Sequence, residues 1–332
     1  MASGDFSFIG GGLLNIASDS GAVVSGGSVN RARGKYSVVA GGGGALPSDS
    51  NLASGDKSAI VGGQRNIASG FISFIGGGNG NTASGDIGSV VCGGSGNTAS
   101  QIFATVGGGV SNRASSNYST VGGGQSNVAS GNASTIGGGV VNFATGVAST
   151  IPGGAFCIAA GDFSFAAGVR AHADHLGTFV WADSTNSNFS FSSTLKNQFS
   201  VRATGGTRFF SNAGLTAGVL LAPGGSTWSS VSDSALKRNI REVDYQEVLE
   251  KVVALPISQW SYEAQDESIE HIGPMAQDFY RLFGLGEDDK HINTLDPDGV
   301  ALAAIKALYE ENKGLNGRLE KLEELVKKLS EK

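Results

Sequence analysis

A chain of 332 residues with 53 Gly, 6 Pro and a net charge of −6 holds far more glycine than the ~7% of ordinary proteins. Glycine does not recur at every third position, which excludes collagen, and Val and Ile recur among the glycines, which excludes a flexible linker. An ordered repeat punctuated by glycine remains. Residues 1–180 balance 7 basic against 7 acidic side chains and residues 232–332 carry 13 against 21, so no basic footprint for nucleic acid is present. No apolar run reaches about 18 residues, and the N-terminus lacks the basic and apolar stretches of a signal peptide. Neither membrane insertion nor ordinary export is expected.

In the first half the pattern N-x-A-S-G-x-x-S-x-(I/V)-G-G-G-x-x recurs. Its β-branched column runs Ile9, Val24, Val39, Ile60, Ile75, Val91, Val106, Val121, Ile136 and Ile151, at spacings of 15 broken by one 21 and one 16. An Asn column from Asn15 to Asn142 repeats the same two irregularities, with Cys157 in the tenth place. Two columns that share their insertions describe coils stacked in register, which is a parallel β-solenoid or β-roll. Each coil is predicted to hold two short strands, one at the Val/Ile and one at N-x-A-S. The glycine triplets are predicted to supply positive φ at the corners, and the Asn column an amide ladder along the stack. One coil has little to bury against the ordering entropy of its residues, so the sequence predicts that the core is completed by other chains around a shared axis. Cys92 and Cys157 lie more than four coils apart, roughly 20 Å at the strand spacing. They cannot pair within a chain and are expected to be small buried residues.

This repeat, from Gly4 to about Gly168, resembles the heads of trimeric autotransporter adhesins. The resemblance implies a trimeric fibre of left-handed β-roll coils that binds surfaces. The triple glycines and the 15-residue period depart from the shorter coil of those heads, and their membrane anchor has no counterpart here.

From residue 169 to 231 the pattern gives way to T-F-V-W-A-D, N-F-S-F-S-S, N-Q-F-S-V-R-A and T-R-F-F-S-N, which read as short strands with aromatic payload in a β-rich connector. H-A-D-H at His172 to His175 offers part of a metal site but no further ligand at a recognisable spacing, so neither metal nor cofactor is expected.

Composition changes at Ser230 to Ile240. Beyond it, Val248, Leu249, Val252, Val253 and Leu255 follow helical spacing. L-P-I-S-Q-W-S-Y reads as a strand and H-I-G-P-M-A-Q-D-F as a strand leading into a helix. From about Val300 a heptad pattern places Ile305, Asn312, Leu319 and Val326 at a, and Leu308, Leu315, Leu322 and Leu329 at d. A polar a position fixes register or oligomer number at some cost in stability, and Gly314 and Gly317 each weaken the lone helix by about 1 kcal/mol. Partner helices are therefore expected to supply stability.

The motifs S-D-S-A-L-K-R-N-I (Ser232 to Ile240), L-P-I-x-x-W-x-Y (Leu255 to Tyr262), H-I-G-P-M-A-Q-D-F (His271 to Phe279) and D-G-V-A-L-A-A-I-K-A-L (Asp298 to Leu308) resemble, in this order, the intramolecular chaperone domain of phage tailspikes and endosialidases, the peptidase S74 family. The resemblance implies a domain that trimerises, assists the fibre before it and is released by cleavage between Val231 and Ser232. Ser232 would be the nucleophile and Lys237 the base, in a single turnover per chain. His271 and Gln277 are candidates for supporting the site. Such a base requires the lysine pKa to fall from about 10.4 toward 7 to 8, for which Arg238 is one nearby cation. A spacing of five puts the two side chains about 140° apart on a helix and on opposite faces of a strand, so an unseen turn has to join them.

The organisation expected is a repeat fibre over 1–168, a β-rich connector over 169–231, a chaperone domain of α+β type over 232–299 and a coiled-coil helix over 300–332, mainly β overall. The leading function is a homotrimeric tail fibre or adhesin on a virion or an extracellular particle, its partner a cell-surface glycan or protein receptor. A glycan-degrading spike would need paired carboxylates, for which the coils offer only isolated Asp5, Asp19, Asp56, Asp86 and Asp162. A stalk that keeps its chaperone domain uncleaved is the other alternative.

Overall fold

The computed structural model describes residues 1–185 and 188–331. The chain divides into two compact units, Met1–Val231 and Ser232–Lys332. The first is a parallel β-solenoid: each coil gives two strands of two residues, such as Thr120–Val121 and Val128–Ala129. Each strand pairs in parallel with the same positions one coil on, Val121 opposite Ile136 and Ala129 opposite Ala144. The strands assemble into a sheet of 14 carrying the Val/Ile column and a sheet of 12 carrying the Ala column, one strand of the latter per coil.

Strand alternation turns Val/Ile and Ala inward. Val24, Val121, Ile136 and every Ala of the column from Ala17 to Ala159 have no exposed surface. The predicted need for other chains to complete this core is corrected by that burial. A coil this thin is filled by one branched residue, one Ala, one Asn and one Ser, as with Val121, Ala129, Asn127 and Ser134, all fully buried.

The Asn column is bonded chiefly to backbone. Asn112 donates through Nδ2 to Gly108 O and Gly124 O, each at 2.8 Å, and its Oδ1 accepts the Asn127 N–H at 3.0 Å. Direct amide-to-amide bonds occur at some steps, as from Asn142 to Asn127 at 3.0 Å. Each side chain thus satisfies backbone groups of its own coil and the next, which a buried polar residue must do.

Of each glycine triplet, the third has positive φ. At Gly109 φ is +85°, and a Cβ would lie 2.1 Å from Gly124 O, so glycine is required there twice over. The other two bends are made by glycine in some coils, as at Gly88 and Gly96, and in most by residues with side chains held in the left-handed region, among them Val29, Ile72, Phe103, Tyr118 and Val141. Such residues cost of order 1–3 kcal/mol each, which attribution of the corners to glycine alone had missed. At one of these bends the ring of Phe103 lies over Gly88 and stacks on Tyr118 of the next coil at 5.9 Å.

Cys157 is buried and stands in for Asn, its N–H donating to Asn142 Oδ1 at 2.9 Å. Burial pushes its thiol pKa up. Cys92 is exposed, against expectation: it replaces the first glycine of a triplet, just beyond the inward Val91. Both cysteines are free. The six-residue insertion carries a 3-10 turn, Pro47–Asp49, whose Asp49 bonds Arg65 at 2.8 Å.

The stack continues beyond the last sequence repeat. Phe165–Val169, Phe179–Ala182 and Phe199–Arg202 extend the Val/Ile sheet, and Ala171–Ala173 and Phe191–Ser192 extend the other. Phe165, Phe179 and Phe199 stack at 4.6 and 4.8 Å. Asp183 accepts from the Thr204 hydroxyl and N–H, each at 2.6 Å, and these bonds hold its pKa down at about 2. An antiparallel sheet, Thr207–Phe210, Gly218–Leu221 and Trp228–Ser230, follows.

The second unit holds α1 (Tyr245–Ala254), a hairpin of Ser258–Trp260 with His271–Gly273, α2 (Ala276–Phe283) and α3 (Leu295–Ser330). Asp244 caps α1 by accepting from Gln246 N and Glu247 N, and Gly284 ends α2 in the left-handed conformation. Leu249 and Val252 of α1 pack against Ala304 and Ala307 of α3. The heptad row of α3 is a different stripe, and Ile305, Leu315, Leu322 and Leu329 lie exposed along it.

Candidate functional site

The turn that the Ser/Lys spacing requires is present. Asp233 Oδ1 accepts the Ala235 N–H at 2.9 Å and caps a 3-10 turn, Ser234–Leu236. Leu236 N donates to Asp233 O and Lys237 N to Ser234 O, each at 3.1 Å. Lys237 then leaves the turn in extended conformation, φ −107° and ψ 147°. Its side chain folds back so that Nζ donates to Ser232 Oγ at 2.7 Å. An Asp after the serine is a turn and cap residue because its short carboxylate reaches the backbone two residues on, so the signal for this turn was in the motif.

Both Ser232 and Lys237 are exposed. On the N-terminal side, Val231 is held by its N–H to Gly218 O at 3.2 Å, beside the last strand of the antiparallel sheet. The boundary between the two compact units falls at the Val231–Ser232 peptide.

His271 and Gln277 are placed elsewhere in the second unit. His271 pairs with Trp260 across the hairpin, and its ring lies 4.8 Å from that of Trp260 and 5.4 Å from that of Tyr262. Its Nε2 is 2.9 Å from Gln265 Oε1. Gln277 lines a cleft with Trp260, Tyr262, Met275 and Lys290. Among the described residues no hydrogen bond joins either one to Ser232 or Lys237. The aromatic cluster around His271, with a Trp260 Nε1 that is buried and unpaired among the described residues, was not visible in the motif spacing.

Of the heptad residues, Leu308, Leu319 and Val326 are also exposed on α3, and Asn312 Nδ2 donates to Leu308 O at 3.2 Å within its own helix. In the solenoid, His175 Nδ1 lies 2.9 Å from Ser193 Oγ. Asp56 and Asp162 accept backbone N–H groups of the preceding coil, Lys35 and Val147, so these carboxylates serve the corners. Among the described residues no helix is long and apolar enough to cross a membrane.

Residues 232–284 match the peptidase S74 family model, described as chaperone of endosialidase. No curated protein matches the chain. The match begins at Ser232, the residue that opens the second compact unit and carries the hydroxyl bonded to Lys237. The chain therefore carries a chaperone-of-endosialidase domain behind a parallel β-solenoid, an organisation consistent with a tail-fibre-type protein.

Proposed function

We propose that this chain is a fibre subunit of tail-fibre or adhesin type whose C-terminal domain gathers three copies, assists folding of the solenoid and is then released by self-cleavage between Val231 and Ser232. The observation that carries the reading is the 2.7 Å bond between Lys237 Nζ and Ser232 Oγ, beside the peptide at which the two units join. Ser232 Oγ, once its proton passes to Lys237 Nζ, attacks the carbonyl carbon of Val231. The C–N bond breaks, the Ser232 nitrogen takes up the proton, and an ester links Val231 to Ser232 Oγ. Water then hydrolyses the ester to leave a Val231 carboxylate and a Ser232 N-terminus. Each chain acts once.

A lysine accepts a proton only when its ammonium form is disfavoured, and loss of water around it does this. In the single chain the pair is exposed, so cleavage follows packing of the domain with its copies. The exposed heptad row from Ile305 to Leu329 is the seam on which those copies meet. The solenoid then serves as the stalk that meets a surface glycan or protein receptor. The full chain and its Ser232→Ala and Lys237→Met variants, compared on a denaturing gel, test the reading. Wild type yields two fragments and both variants stay intact, whereas an uncleaved wild type in a folded oligomer removes the self-cleavage.

A further inference from the structure

The two sheets of the solenoid have unlike outer faces. On the Ala sheet the outward positions mix Arg31, Arg33, Arg113, His172 and Asp174 with Ser, Thr and the apolar Ile16, Leu52, Ile67, Val128, Phe143 and Ile158. On the Val/Ile sheet the outward positions, just before and just after each buried Val or Ile, run from Phe8 to Val201 without one charged residue or side-chain amide. They hold Val and Phe in the early coils, Thr105, Thr120, Thr135 and Thr150 in the middle and the stacked Phe165, Phe179 and Phe199 at the end.

We propose that the outer face of the Val/Ile sheet is the surface through which copies of this chain pack against one another along the stalk. This rests on the reading of the chain as an oligomeric fibre and assigns the face that such a fibre uses. Copies related by rotation about an axis parallel to the stack place each residue opposite itself at the same height. A charged column would then face its own like charge, which is costly, and this is the column from which charge is missing. The face repeats at the strand spacing for its whole length, so the partner that matches it coil for coil is one with the same pitch, a second copy. At about 4.8 Å per strand and about 10 Å of width the face offers roughly 600 Å² per chain, of the order of the ~800 Å² per partner of a specific interface.

Cys92 is an exposed thiol on this face, whereas Arg113 is exposed on the outer face of the Ala sheet, on the next strand of that sheet after Thr98. The experiment treats the full-length protein with a short bismaleimide, runs a denaturing gel and measures the native mass by sedimentation. The expected result is a trimer that gives a covalent dimer band. The band is lost in Cys92→Ser, kept in Cys157→Ser and not restored by Arg113→Cys in the Cys92→Ser background. A trimer in which Cys92 gives no dimer, or in which Arg113→Cys restores it, overturns the assignment of the face and leaves the oligomeric reading standing. A protein that sediments as a monomer overturns both.

Discussion

A buried asparagine in nine successive coils makes sense only through what it saves from being orphaned. Without Asn112, Gly108 O loses its donor and Asn127 N its acceptor, while Gly124 O keeps Val110 N. The Asn127 N–H is buried and the Gly108 carbonyl half-buried, and a buried backbone group left unpaired costs about 1–3 kcal/mol. Asn112→Ala is therefore expected to destabilise the solenoid by about 2–4 kcal/mol, read as a lowered midpoint in urea. Asp183 gives a pH signature. Its folded pKa of about 2 lies below the ordinary 3.8, so its contribution is fully present above the ordinary value and is lost as pH falls through about 2. Acid unfolding followed between these values should be shallower in Asp183→Asn, and an unchanged acid limb would remove that role. The inward Val/Ile, Ala and Asn columns were legible because each recurs at a fixed place and a strand alternates by two. The left-handed bends at Ile72, Phe103 and Val141 were not legible, because those residue types ordinarily avoid that conformation. They hold it here with each N–H bonded to the preceding coil, Ile72 to Asp56 O, Phe103 to Ile87 O and Val141 to Gln125 O.

At the scale of elements, the glycine triplet divides its work. The middle glycine, as at Gly123, has open space around it, whereas Gly124 has positive φ and the Gly139 carbonyl against it. The sequence assigned the corner to the triplet as a whole because three identical letters do not tell which one carries the constraint. The solenoid also outlasts its own sequence signature. Phe179–Ala182 and Phe199–Arg202 pair in parallel with the coils before them, although glycine triplets and the Asn column have ended. Hydrogen bonding between coils needs an extended backbone in register rather than a consensus, and stacked rings replace the small side chains. In α3 one stripe, Val300, Ala303, Ala304 and Ala307, is buried, and the heptad stripe is left outward. Since Gly314 and Gly317 weaken this helix by roughly 1 kcal/mol each, partner helices in the proposed oligomer would supply the stability its C-terminal half lacks. Leu319→Asp, at an exposed a position, should convert the oligomer to a monomer in sedimentation with the solenoid residues unaltered. An unchanged mass would take the seam out of the account.

For the whole molecule, the expectation that one chain could not supply its own core is the reading most changed by the structure. The coils bury their own core, in most of them Val/Ile, Ala, Asn and Ser, so association between copies would add an outer interface rather than complete an inner one. What a folding aid would then have to overcome is kinetic: parallel pairing over twelve coils must start in register, and a slip by one coil preserves nearly every side-chain match. The two insertions, six residues within Gly44 to Ser50 and one near Asp86 to Gly88, are the places where register is marked. The site at the junction was half legible. Its residues and their order stand in the motif, but the contact between Ser232 and Lys237 depends on a turn capped by Asp233, which the five-residue spacing does not show. The most direct test of the account is the intact mass of the products from full-length protein allowed to fold and assemble. The account predicts one fragment ending at Val231 and one beginning at Ser232, both absent in Ser232→Ala. A single species at 33.6 kDa in the folded, assembled wild type would contradict it.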